Sequence, residues 1–375
     1  MVGRCGVGAL AVSGVVVSGW LLAPEVLAVV LGEEVAMPAL TPVAITDHAL
    51  RGTFGPGLVA DAGVAAKALQ IESLCALGLA RLQFFAGEPA AVTLADGHAV
   101  TAYCGARDRD ADHGWDFAAQ WAAHSGLILE AARQQMRGFG QISSAAARGR
   151  WSMVLVRAGS TLRANSSAAP AQLRRPAVHA DVEVRSVTLG YAKFFAVEDY
   201  VLTHKSFAGP QSDPLQRAAF ISGDAVVVLP YDPVRDLVLL VEQFRTGPFA
   251  RGDANPWSLE AVAGRIDAGE RPEDAGRREG EEEAGVAFTD LLAAPNYYPT
   301  PGAKSEFLYN FVGLCDLGAR PTGGGGLEEE GEDVRSHLIP FSQLMDLIAT
   351  NEVNNGPLVV LAYWLALNRD KIRAA

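Results

Sequence analysis

Residues 264–286 read Gly-Arg-Ile-Asp-Ala-Gly-Glu-Arg-Pro-Glu-Asp-Ala-Gly-Arg-Arg-Glu-Gly-Glu-Glu-Glu-Ala-Gly-Val. Pro272 near the start and Gly285 at the end are residues that usually begin and end a helix, so this stretch predicts a helix over 272–284. Because successive side chains of a helix are rotated by about 100°, three acids fall on one face of it: Glu279, Glu282 and Glu283. Glu281 points the other way.

Acids spaced in this way repel one another and destabilise an isolated helix. Arg278 can relieve only part of this repulsion, by pairing with Glu282, and a hard divalent cation would relieve the rest. Ligands that are all oxygens suit Mg²⁺ or Mn²⁺, which typically bridge carboxylates to substrate phosphates. The alternative interpretation of an isolated acidic run is a solvated helix face, but the wider pattern favours a metal site.

The whole stretch resembles the Nudix box, G-x5-E-x7-R-E-U-x-E-E-x-G-U, where U is a bulky aliphatic residue. It departs from the box only at Gly280, where an aliphatic residue is expected. Gly280 and Gly276 should each weaken the helix by about 1 kcal/mol relative to alanine. The resemblance extends over residues 183–375 and is closest to the ADP-ribose pyrophosphatase branch, through phrases such as Val241-Glu-Gln-Phe-Arg245 and Pro256-Trp-Ser-Leu-Glu260.

This resemblance implies a set of metal ligands and a catalytic base. The box glutamates Glu279 and Glu283 and the backbone carbonyl of Ala263 would bind the metal, with Glu282 as a neighbouring, metal-linked acid. A base is expected in the loop after the last long strand, where Glu330 is the first choice and Glu332 the second. Without the box, the acidic loop at 327–333 would be interpreted as merely exposed.

The resemblance also implies residues that bind substrate. Arg217 and Arg245 would hold phosphates or the terminal ribose, for which the planar guanidinium fork is well shaped. Phe194 matches an aromatic residue that stacks on adenine and comes from the partner subunit of a homodimer; the alternative is a core-facing strand residue. Glu306 would lie near the metal or the terminal ribose. The implied reaction is attack of a Mg²⁺-activated water on ADP-ribose, giving AMP and ribose 5-phosphate.

The order of elements predicts an α+β fold. Runs rich in Val and aromatic residues predict strands at 182–192, 194–205, 224–231 and 237–244. The box helix, a strand at 307–314 and helices at 341–351 and 356–369 follow. Because there are no repeated βαβ units, a doubly wound sheet is not expected. The resemblance implies a Nudix α/β/α sandwich with a mixed sheet.

A length of 375 residues fits two domains. We predict a first domain over 1–160, a Ser-, Ala- and Pro-rich linker over 161–182, and the Nudix domain over 183–375. The first domain resembles a γ-glutamylcyclotransferase-like β-barrel, an order familiar in TrgB-like Nudix proteins. Ser18 stands where that family has its motif tyrosine, and Ala86 where it has an acid before Gly87. Without the acid we expect no cyclotransferase activity.

The formal net charge of −12 argues against broad binding of nucleic acid or of an anionic membrane, since both require a basic surface. The four cysteines are widely spaced, which predicts reduced thiols rather than zinc or disulfides. The apolar run at 7–22 has one preceding arginine and is short for a membrane span. We therefore expect a buried strand there and a cytoplasmic protein.

Two other functions remain open at this stage. The same metal site would serve a pyrophosphatase for another nucleoside diphosphate sugar, such as GDP-mannose, because base selectivity depends on the pocket. A Nudix-fold sensor that binds ADP-ribose without hydrolysing it is the other alternative. The complete set of box acids argues against a sensor.

Overall fold

The computed structural model describes residues 12, 14–105, 114–318, 324–325 and 333–374. The chain divides into two compact units, Met1–Phe220 and Ile221–Ala375. The linker predicted at 161–182 therefore lies inside the first unit, and the division comes about 40 residues later than the sequence suggests. Each unit is described separately.

The first unit contains a five-stranded mixed sheet. Its strands are β1 (Val15–Val17), β2 (Leu40–Arg51), β3 (Gly57–Ile71), β4 (Ala90–Thr93) and β5 (Ala99–Tyr103), in the order β2-β3-β1-β5-β4. An isolated bridge between Ile45 and Leu94 joins the two edges of the sheet, so the sheet curls as a barrel does. We call the part of the chain up to residue 166 the N-terminal region. It is β-rich, and its assignment as a cyclotransferase-like domain stays a prediction.

In the described part of the first unit, five α-helices accompany this sheet. They are α1 (Pro24–Leu31), α2 (Ala76–Ala86), α3 (Phe117–Met136), α4 (Ser144–Gly149) and α5 (Trp151–Ser166). Helix α1 has Pro24 in its first turn and Gly32 as its C-cap. Helix α5 was not expected and runs into the Ser-, Ala- and Arg-rich stretch interpreted as linker, because Val154, Leu155 and Val156 give it a buried apolar face.

A three-stranded antiparallel meander ends the first unit. Its strands are β6 (Val182–Ala192), β7 (Ala196–His204) and β8 (Leu215–Ile221), in that order. The first two confirm predicted strands, whereas β8 was missed. The turn between β6 and β7 carries Phe194, which is 59% exposed. Phe194 is therefore not a core-facing strand residue.

The second unit is built on an eight-stranded mixed sheet. Its strands are β9 (Ala225–Asp232), β10 (Leu237–Phe244), β11 (Trp257–Glu260), β12 (Val262–Arg265), β13 (Asp290–Ala293), β14 (Leu308–Leu314), β15 (Gly324–Gly325) and β16 (Val334–Pro340). Its helices are α6 (Thr246–Arg251), α7 (Pro272–Ala284), α8 (Phe341–Ala349) and α9 (Gly356–Arg373). Strand β14 pairs with β9 in parallel, whereas β9 with β10 and β12, β10 with β11 and β16, β13 with β14, and β15 with β16 pair antiparallel.

Alternate side chains of the central strands face two different helical layers. Leu239 and Val241 of β10 pack in a core with Ala275 of α7. Leu240, between them in sequence, packs in a second core with Phe341 of α8 and Leu361 of α9. The predicted α/β/α sandwich with a mixed sheet is confirmed for this unit.

The two glycines of α7 have a packing reason that the sequence does not reveal. A Cβ on Gly276 would lie 3.1 Å from Val228 Cγ2, so the helix lies close against β9. At Gly280 a Cβ would come within 2.4 Å of the Phe288 ring, which is buried in the same core. Phe288 thus fills the space of the aliphatic residue that the box expects. The expectation that both glycines simply weaken the helix needs this correction.

Among the described residues, no helix combines the length and the apolar character that crossing a membrane requires.

Candidate active site on helix α7

Helix α7 has the predicted bounds, with Pro272 in its first turn and Gly285 as its left-handed C-cap at φ 58°. Its face toward the sheet buries Glu279 and Glu283, which are 9% and 3% exposed. Glu282 is half-buried and Glu281 is exposed. The predicted division of acids between two faces of the helix is therefore confirmed.

Strand β12 runs beside the buried acids. The Ala263 backbone N–H donates a hydrogen bond of 3.1 Å to Glu283 Oε2, and Ala263 pairs with Val227 of β9. The next residue, Gly264, lies against Glu279. Two acids of α7, Glu283 and Glu279, therefore contact the backbone of β12. A Cβ built on Gly264 would be 1.9 Å from Glu279 Oε1. The first glycine of the box is required because a carboxylate occupies the space of a side chain.

Gly264→Ala is expected to lower kcat/KM by about a hundredfold, because displacing a catalytic group by about 1 Å has an effect of this size. The unfolding free energy should fall by less than about 1 kcal/mol, since only the end of a flexible side chain must move. Steady-state kinetics and urea unfolding measure the two effects. Gly302→Ala is the matched control, because a Cβ there meets nothing within 4 Å. Equal kinetics for the two variants would contradict the assignment.

Arg278 is the cationic centre of the acid cluster. Its guanidinium donates to both oxygens of Glu270 at 3.0 Å, to Glu279 at 2.7 Å and to Glu282 at 3.0 Å. It also donates to the Arg265 carbonyl at 2.9 Å. Its hydrogen bonds to the Glu270 carboxylate raise the pKa of Arg278 above its usual value. The expected pair with Glu282 is confirmed, and Arg278 links Glu270 and Glu279 as well.

The charge of this cluster is uneven. Three carboxylates, those of Glu270, Glu279 and Glu282, accept hydrogen bonds from the Arg278 guanidinium, and a fourth, that of Glu283, accepts one from the Ala263 N–H. In the described part of the chain, no group of three or more His, Cys, Asp or Glu side chains is arranged to hold a metal ion. The donor set, all oxygens with excess negative charge, nevertheless fits a hard divalent cation.

Arg245 lies at the end of β10 and is held by a buried acid. It donates to Glu260 through Nε at 2.9 Å and through Nη2 at 2.7 Å, and Glu260 is 6% exposed. Val241, opposite Glu260 in the sheet, faces α7, so the pair lies on the α7 side of the sheet. Glu260 was not singled out from the sequence. Its position three residues before Ala263 was the available signal.

The remaining predicted residues lie in separate places. Glu306 is in the second unit, where Lys304 binds it at 2.8 Å and the Ser222 hydroxyl donates to it at 3.4 Å. Phe194 and Arg217 belong to the meander of the first unit, where Arg217 donates to the Gln216 carbonyl at 2.7 Å. Glu330 and Glu332 lie outside the described residues. The structure thus brings together the acids of α7 with Ala263.

Residues 222–360 match the NUDIX domain family. The chain is 37% identical over 195 residues, 52% of its length, to an ADP-ribose pyrophosphatase of Haemophilus influenzae, of which the match covers 89%. It is 35% identical over 193 residues, also 52% of its length, to an ADP-ribose pyrophosphatase of Escherichia coli K12, covering 91% of that protein. A GDP-mannose pyrophosphatase of an Enterobacter species is 30% identical over 153 residues, covering 41% of the chain and 78% of that protein.

Proposed function

Because the chain belongs to the Nudix family and to its ADP-ribose pyrophosphatase branch, we propose that it hydrolyses the pyrophosphate bond of ADP-ribose to AMP and ribose 5-phosphate. The observation that carries the proposal is the buried pair of acids on α7, with Glu283 against Ala263 and Glu279 against Gly264. Nudix hydrolases generally use divalent metals, and for this chain we propose Mg²⁺, with Mn²⁺ as a substitute.

The side chains of α7 would have different roles in metal binding. Glu279 and Glu283, with the Ala263 carbonyl, would hold the metal, and Glu282 would lie beside it. Divalent ions in such a site neutralise the diphosphate and lower the pKa of the attacking water. Arg278 keeps Glu279 and Glu282 in place through hydrogen bonds, so that the acids are oriented before substrate arrives.

Residues outside α7 would bind the substrate and move the proton. Glu330 is proposed to accept the proton of the attacking water, with Glu332 as the second candidate. Arg245, oriented by Glu260, would hold a phosphate or the terminal ribose, and Arg217 and Glu306 would contribute to the same contacts. A pre-oriented guanidinium loses less entropy on binding than a mobile one.

The proposal includes the assembly and location implied by the resemblance. We propose a homodimer formed through the Nudix domain, in which the Phe194 that stacks on adenine comes from the partner subunit. We also propose a cytoplasmic location.

A second candidate function is hydrolysis of another nucleoside diphosphate sugar. The match to a GDP-mannose pyrophosphatase supports it, but both identity and coverage are lower than for the ADP-ribose pyrophosphatases. A sensor that binds ADP-ribose without hydrolysis would not need the acids of α7, all of which are present.

The purified protein should convert ADP-ribose to AMP and ribose 5-phosphate only when Mg²⁺ is present, because the diphosphate charge must be neutralised. The experiment incubates it with ADP-ribose, GDP-mannose and other nucleoside diphosphate sugars, with Mg²⁺ or with a chelator, and identifies products by chromatography. ADP-ribose should have the highest kcat/KM. A preference for GDP-mannose would favour the second candidate. Binding of ADP-ribose without any product would favour the sensor.

A further inference from the structure

The meander of the first unit is joined to the helices of the N-terminal region by a buried ion pair. Arg157 of α5 donates two hydrogen bonds to Glu198 of β7, one of 2.8 Å through Nη2 and a shorter one through Nη1. Tyr200 donates its hydroxyl to the same carboxylate. Glu198 is 1% exposed. A charge buried to this extent requires its partners, so this contact strongly favours one arrangement of β7 against α5.

The pKa of Glu198 supports this interpretation. Burial alone would raise its pKa, but the hydrogen bonds and charge of Arg157 keep it below its usual value. The lowered pKa keeps the carboxylate charged at neutral pH, as its ion pair with Arg157 requires.

Two further contacts hold the hairpin formed by β6 and β7. The Gln141 side chain donates to the Val187 carbonyl at 3.3 Å and accepts from the Leu189 N–H at 2.8 Å. Arg150, at the start of α5, donates through Nε to the Lys193 carbonyl at 2.8 Å. Lys193 begins the turn and immediately precedes Phe194. We call these three contacts, made by Gln141, Arg150 and Arg157, the hairpin clasp.

The match to an ADP-ribose pyrophosphatase is long enough to include part of the first unit, but not the whole N-terminal region. The match to the ADP-ribose pyrophosphatase of Haemophilus influenzae spans 195 residues, which is longer than the second unit, so it extends into the first. Those 195 residues are already 89% of that protein. It therefore has no counterpart of comparable size to the N-terminal region of this chain, which supplies the residues of the hairpin clasp.

We propose that the N-terminal region is an intrachain scaffold that holds the β6–β7 turn, so that Arg150, Arg157 and Gln141 are positioning residues for Phe194. The proposal rests on the proposed function, in which Phe194 stacks on the adenine of the substrate. A turn of three residues with an exposed aromatic ring loses conformational entropy when it binds a ligand. The clasp fixes the backbone on the N-terminal side of Phe194 in advance, and this assists binding rather than the chemical step.

The test uses Arg150→Gln, because Arg150 contacts the turn through a single backbone carbonyl and its replacement leaves no buried acid unpaired. Hydrogen exchange of the amides at 187–195 should become at least about tenfold faster. The KM for ADP-ribose should rise about fivefold to tenfold, while kcat stays within about twofold of the wild type. Arg133→Gln is the matched control, because Arg133 pairs with Glu130 on the surface of α3 and its side chain is 56% exposed.

A second variant removes the ion pair as a unit. Arg157→Met combined with Glu198→Gln leaves no buried charge and keeps a neutral acceptor for Tyr200, so the fold should be retained. It should show the same faster exchange and the same rise in KM. Unchanged exchange or unchanged KM in both variants would overturn the proposal.

Failure of the scaffold proposal can be distinguished from failure of the proposed function. If the wild type does not hydrolyse ADP-ribose, the proposed function fails while hydrogen exchange still reports on the clasp. If ADP-ribose is hydrolysed but Phe194→Ala leaves KM unchanged, the role of Phe194 fails and the positioning proposal with it. A rise in KM for Phe194→Ala, without one for either clasp variant, overturns only the scaffold.

Discussion

Replacing Glu283 by glutamine should lower kcat/KM for ADP-ribose by about a thousandfold, equivalent to roughly 4 kcal/mol of transition-state stabilisation. Glutamine retains an oxygen that can accept the Ala263 N–H but lacks the negative charge that a divalent cation requires. The fold should be retained, as judged by circular dichroism and by a urea midpoint close to that of the wild type. Steady-state kinetics at saturating Mg²⁺ measure the effect.

The neighbouring Glu281→Gln variant is the control for this prediction. Glu281 lies on the same helix but is exposed on the opposite face, so its replacement changes the net charge equally without touching the site. Its kcat/KM should remain within about twofold of the wild type. Full activity of Glu283→Gln, or an equal loss in both variants, would refute the assignment of the metal ligands.

Arg278→Met is expected to have the largest effect on stability. It leaves Glu270, Glu279 and Glu282 without the guanidinium that each of them contacts. Removing one partner of a largely buried ionic cluster typically costs about 3 kcal/mol, and a somewhat smaller loss is expected here because Arg278 is 30% exposed. Urea unfolding in the presence of a chelator measures the loss.

Mg²⁺ distinguishes a metal site from a purely structural ion pair in this variant. If the acids bind divalent ions, saturating Mg²⁺ should restore much of the lost unfolding free energy, because a ligand that binds only the folded state stabilises it. Arg271→Met is the matched control, since the Arg271 side chain is 72% exposed and pairs with Glu273. The same loss in both arginine variants, or no restoration by Mg²⁺, would contradict the account.

The elements predicted correctly from sequence are those with local signals. Helix α7 begins at Pro272 and ends before Gly285, because proline is tolerated in the first turn of a helix and glycine readily adopts the left-handed conformation of the C-cap. The positions of the acids on α7 follow from helix geometry, so this part of the site was predicted from spacing alone.

The features that were missed depend on contacts between distant residues. Strands β11 and β12 are only four residues long, and each is stabilised by pairing with a longer strand, β10 and β9 respectively. A short sequence window does not show which strand will be the partner. The exchange of volume between Gly280 and Phe288 and the pair of Arg245 with Glu260 also join residues separated along the chain. No local pattern predicts them.

The boundary between the two units lies after residue 220, later than the linker predicted at 161–182, and it too depends on contacts between distant residues. The composition at 161–182 resembles a linker, and residues 167–178 contain neither helix nor strand. The meander nevertheless belongs to the first unit, and its residue Glu198 is paired with Arg157, 41 residues earlier. A buried ion pair of this kind has no signature in composition.

The most direct test of the proposed metal site is anomalous diffraction from crystals grown with Mn²⁺ and a non-hydrolysable ADP-ribose analogue. We expect Mn²⁺ peaks about 2.1 to 2.2 Å from carboxylate oxygens of Glu279 and Glu283, with the analogue's diphosphate bound to the same ions. Peaks elsewhere, or a diphosphate bound away from α7 with no metal at these acids, would contradict the account.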